Sequence, residues 1–66
     1  MIREIENFEM NGMYAVLKHD DSMKKCAWTV EYSDVTGEDR IDIFNSEFTA
    51  REGFTGIKRD IEELMK

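Results

Sequence analysis

His19, Asp20 and Asp21 are the residues whose types first suggest chemistry: an imidazole beside two carboxylates. General-base catalysis needs that imidazole aimed at the proton of a nucleophile. Neighbours in sequence at a strand end point different ways, and no nucleophile is identifiable nearby. A solvated turn accounts for these residues better. Cys26 follows Lys24 and Lys25, cations that would lower the pKa of an exposed thiol. Its parity with Trp28 and Val30 predicts burial as a small hydrophobe instead. With one cysteine and one histidine in the chain, neither an internal disulfide nor a Cys/His metal cluster can form.

The carboxylates are the larger signal. Asp34, Glu38, Asp39 and Asp42 crowd one short stretch, and Glu31 and Glu47 flank it. A calcium loop is excluded by spacing, because Gly37 is the fourth residue from Asp34 rather than the sixth and no Glu closes the loop. No phosphate-binding loop or dinucleotide fingerprint is present, so no cofactor is expected and no catalytic constellation is visible. The chemistry left to such a cluster is recognition of positive charge.

The elements that position it follow from periodicity. Cys26, Trp28, Val30 and Tyr32 alternate with Ala27, Thr29, Glu31 and Ser33, the period of a half-buried strand. Asp34 to Asp39 is turn chemistry, with Gly37 free to take positive φ. Ile41 and Ile43 then alternate with Arg40, Asp42 and Phe44, completing a hairpin. Upstream, Met13 to Lys18 is almost continuously apolar and reads as a strand inside the sheet. His19 to Lys25 is a polar connection.

The last element is a helix over Thr49 to Lys66. Thr49 and Glu52 have the spacing of a capping box. Phe54, Ile57, Ile61 and Leu64 fall on one face, which should pack on the sheet face carrying Cys26, Trp28 and Val30. Glu62 and Lys66 form an i,i+4 pair, and Lys66 suits the helix's negative end. Gly53 and Gly56 either let the helix approach the sheet or break it after one turn.

Residues 1–9 admit two readings. Ile2, Ile5 and Phe8 are spaced by three, which favours a short helix stopped at Asn11-Gly12. The alternative is a strand with Phe8 and Met10 on one face and Asn11-Gly12 as a type I′ turn. The expected fold is therefore α+β: a three-stranded antiparallel sheet, four-stranded if the N-terminus pairs, with a C-terminal helix on one face. Residues 1–66 form one domain.

Composition narrows the function. Fifteen acidic residues against nine basic give a formal charge of −6, which opposes direct binding to nucleic acid or to an anionic membrane and favours a basic partner. No apolar run approaches the length of a membrane span, and the start MIREIENFEM lacks the apolar segment of a signal peptide. A cytoplasmic protein is expected. The element order α-β-β-β-α invites comparison with double-stranded-RNA-binding domains, but the last helix carries as many acids as bases where a phosphate-binding helix would be basic.

The hairpin WTVEYSDVTGEDRIDIF resembles a segment of the phage uracil-DNA glycosylase inhibitor, and the start MIREIENF together with the element order resembles small acidic anti-CRISPR proteins. FNSEFTAREGFTGIKRDI is similar to a pattern in small β-β-β-α proteins. The first two resemblances imply a small phage-encoded inhibitor that occupies a partner's nucleic-acid site. No residue is carried over one by one. The expectation is a non-enzymatic binding protein whose partner-binding carboxylates are Glu31, Asp34, Glu38, Asp39, Asp42 and Glu47. The competing expectation is a structural or self-associating module, a homodimer through an open sheet edge, whose acidity serves solubility.

Overall fold

The computed structural model describes residues 1–25 and 27–64. Expectations that involve Cys26 and Lys66 lie outside the described residues. Four strands run in the order β1 (Ile2–Met10), β2 (Met13–Asp20), β3 (Trp28–Ser33) and β4 (Asp39–Phe44), followed by α1 (Glu47–Leu64). The strands form one antiparallel meander in which each pairs with its sequence neighbours. The sheet is thus four-stranded, and the N-terminal helix favoured by the spacing of three is not formed.

The reason lies in the β1–β2 register. Glu4 pairs with Lys18 and Glu6 with Leu17, so Ile5 is an extra residue in β1. A bulge of this kind sets two residues against one and resets the alternation. Ile5 and Phe8 therefore both pack against the core although they are three positions apart. The apparent helical period was a strand period interrupted by a bulge. The turn closing this hairpin has Asn11 at φ 50° and Gly12 at φ 82°, the paired positive φ that a type I′ turn requires.

β2 lies between β1 and β3, as its apolar run predicts, and Ala15 and Leu17 are fully buried. Leu17 pairs with Val30, which in turn pairs with Asp42. Partners across a sheet share a face, so Trp28, Val30 and Tyr32 face the helix, and Arg40, Asp42 and Phe44 follow them on β4. Ile41 and Ile43 project from the opposite, uncovered face.

α1 begins two residues earlier than the Thr49 expectation, and its cap is Ser46. Ser46 Oγ accepts from the Thr49 amide at 3.2 Å, and its carbonyl accepts from the Ala50 amide at 3.1 Å. The box of Thr49 with Glu52 does not form; Thr49 is instead the third residue of a helix capped by Ser46. The helix packs Ala50, Phe54 and Ile61 onto Ala15, Leu17 and Val30, with Ile57 partly buried beside them. Leu64, expected on the same stripe, is half exposed. Arg51 reaches Glu6 at 3.5 Å, and Lys58 sits 5.3 Å from the centre of the Phe8 ring. These contacts tie the helix to β1. No described helix is long and apolar enough to cross a membrane.

Candidate functional site

The β3–β4 turn is built on one carboxylate. Asp34 Oδ1 accepts from the Thr36 hydroxyl at 2.6 Å and from the amides of Thr36 at 2.9 Å and Glu38 at 3.0 Å. Its Oδ2 receives Arg40 Nε at 2.8 Å. Asp is suited to this place because its short side chain reaches its own backbone two residues on. The Thr36 hydroxyl and then the Arg40 guanidinium hold the Asp34 carboxyl far below the ordinary carboxylate range. Gly37, at φ 87°, donates its amide to the Asp34 carbonyl, and the Asp34 amide donates to the Glu38 carbonyl. A charged residue that spends its acceptors inside the turn is chiefly a structural one.

The other candidate carboxylates divide between surfaces. Glu38 is well exposed at the turn and stands 3.7 Å from Arg40. Asp39 accepts from the Tyr14 hydroxyl at 2.8 Å, a bond that raises the pKa of Tyr14. Glu31 pairs with Lys18 in the middle of the uncovered face. Asp42 lies on the helix side of β4, where burial first and then its charge raise the pKa of Tyr32. Glu47 is held by Arg51 at 2.8 Å in the first helical turn. Asp39 and Asp42 are three residues apart on a regular strand and so point to opposite faces. Asp34, Glu38 and Asp39 are brought together at the turn; Glu31, Asp42 and Glu47 are not part of that group.

The fold adds acids that the sequence reading did not include. β4 ends far from its own turn, α1 starts three residues later, and the helix runs back toward that turn. Its last turns meet Val35 and Asp34. Met13, Tyr32, Val35, Ile57, Ile61 and Leu64 line a cleft of about 180 Å³ there, with Asp34 and Asp60 among its walls. Glu63 stands with Val35, Asp60 and Leu64 on the adjoining surface. Among the described residues, Asp60 and Glu63 make no ion pair, unlike most of the hairpin acids. The signal for them was chain geometry: a helix of 18 residues rises about 27 Å, enough to return along the sheet to the turn.

The cleft is below the several hundred Å³ of a small-molecule site, and its scale is that of one long side chain. A larger hollow, about 430 Å³, runs along the outer side of α1 from Phe48 to Arg59. All of its walls belong to that single helix, so no second element converges on it.

His19 does not join Asp20 and Asp21 in a catalytic group. Its ring stacks on Trp28 with centroids 4.2 Å apart, whereas Asp21 bonds the Met1 ammonium at 2.8 Å. Among the described residues no three His, Cys, Asp or Glu side chains are grouped to hold a metal ion. No family model, curated protein or solved structure matches this chain.

Proposed function

We propose that this chain is a small, acidic, non-enzymatic binding protein that occupies the basic nucleic-acid-binding surface of a partner protein in the cytoplasm. The observation that carries the reading is the end of the molecule where an apolar cleft walled in part by Asp34 of the hairpin and Asp60 of the helix adjoins Glu63. A lysine or arginine has the matching character: an apolar stem that packs on Met13, Val35 and Leu64, and a charged head that stays at the wet, acidic rim. Asp60 and Glu63 are the carboxylates left to receive that head, because Asp34 is committed to Arg40. The charge of −6 adds long-range attraction to any basic surface. The resemblance of the hairpin to small phage-encoded inhibitors points to the same class.

The test is competition. A nucleic-acid-binding protein recovered with the chain from lysate of its source should release DNA or RNA when the purified chain is added. Binding should weaken steeply with salt, since charge attraction is screened beyond about 8 Å at physiological ionic strength. The double variant Asp60→Lys/Glu63→Lys should bind at least about tenfold more weakly. Wild-type affinity of that variant at low salt, or binding that leaves the nucleic acid in place, would overturn the reading.

A self-associating module is the second reading. It is favoured by Ile41 and Ile43, which are 59% and 62% exposed on the edge strand β4.

A further inference from the structure

We infer that the chain pairs with a second copy of itself through the outer edge of β4, antiparallel, with the two-fold axis passing through Ile41. The inference deepens the self-association reading and is independent of the acidic cleft.

β4 is the last strand of the sheet, so one side of its backbone has no neighbouring strand. The amide of Asp34 bonds the carbonyl of Glu38 at the base of the hairpin. Antiparallel pairs alternate between bonded and non-bonded along the strands. Through the register Asp39 opposite Ser33 to Phe44 opposite Trp28, that alternation turns the main-chain groups of Arg40, Asp42 and Phe44 inward to β3. Those of Asp39, Ile41 and Ile43 point outward. Sheet edges are commonly guarded by bulges, prolines or lysines. β1, the opposite edge, has the bulge at Ile5 and three glutamates. β4 has an unbroken register with no bulge, proline or lysine, and its charges, Asp39, Arg40 and Asp42, are of both signs.

Charge selects the occupant and the register. Residues opposite each other must lie on the same sheet face, so a two-fold axis perpendicular to the sheet has to pass through a residue. An axis through Arg40 sets Arg40 against itself, and one through Asp42 sets Asp42 against itself; like charges directly opposed are destabilising. An axis through Ile43 leaves Asp42 against Phe44. The axis through Ile41 alone sets Arg40 of each copy against Asp42 of the other, twice. It also puts Ile41 against Ile41 on the uncovered face. Arg40 gives its Nε to Asp34 and holds Nη2 3.7 Å from the exposed Glu38, which leaves Nη1 to meet that carboxylate, and a non-bonded pair brings the two side chains closest. The strand is complementary to itself in this register, and the occupant is a second copy. The product is a continuous eight-stranded sheet with both helices on one side.

Sedimentation of the purified chain over a concentration series tests this, with circular dichroism to verify folding. The expected result is a rise in mass from 7.8 kDa toward twice that value. Asp42→Arg, which opposes like charges across the axis, and Ile41→Lys, which sets two ammonium groups on it, should each weaken association about tenfold or more. Mixing Asp42→Arg with Arg40→Asp should give a heterodimer from chains that do not self-associate. Should Arg40→Asp fail to fold through loss of its bond to Asp34, the other two variants, both at exposed positions, decide the matter. Asp60→Lys/Glu63→Lys should leave the mass unchanged, which separates this pairing from partner binding at the cleft. A monomer at every concentration, or a dimer indifferent to both Asp42→Arg and Ile41→Lys, would overturn the inference.

Discussion

Gly53 of α1 and Phe44 of β4 meet with no room for a side chain between them: a Cβ on Gly53 would lie 2.5 Å from Phe44 Cζ. At Gly56, one turn further on, a Cβ would have nothing within 4 Å. Both glycines cost the helix conformational entropy, but only Gly53 gains a close approach in return. Gly56→Ala should stabilise the protein by about 0.5–1 kcal/mol. Gly53→Ala should fall below it by about 1 kcal/mol or more, because the Phe44 ring must move. Urea unfolding of the two variants side by side measures the difference.

Ile61 is 2% exposed and packs in the centre of the core, whereas Leu64, one turn later, is 50% exposed. Ile61→Ala should cost about 2–5 kcal/mol, a large part of the stability of so small a domain. Leu64→Ala should cost far less. Equal melting temperatures for the two variants would contradict the packing.

Asp34 sets part of the acid response. Its folded carboxyl titrates well below its ordinary 3.8, so the stability it contributes is complete above that value and is lost as pH falls through and beneath it. Asp34→Asn keeps an oxygen for the Thr36 and Glu38 amides but no charge for Arg40. Melts at pH 3 and pH 7 should show a smaller acid loss in the variant than in the wild type.

Trp28 is the single tryptophan, and His19 covers one face of its indole. His19→Ala should expose that face to water and shift the emission to the red, while the far-ultraviolet dichroism stays unchanged. An unshifted spectrum would argue against the stack.

Local pattern alone determined the central hairpin, the strand β2 and the helix face. Trp28, Val30 and Tyr32 alternate, and Phe54, Ile57 and Ile61 recur at helical spacing; these periods are fixed by backbone geometry and need no distant partner. The charge of −6 was likewise a property of the chain alone. Two things were decided only in the tertiary structure. Ile5 looked helical with Ile2 and Phe8 because a bulge, which forms only against β2, resets the strand's alternation. Asp60 and Glu63 are more than twenty residues from the hairpin turn in sequence and join its surface only because α1 folds back along the sheet. Periodicity records which way a side chain points relative to its own backbone. Which distant residues then share a surface depends on how the elements dock, and that no local pattern contains.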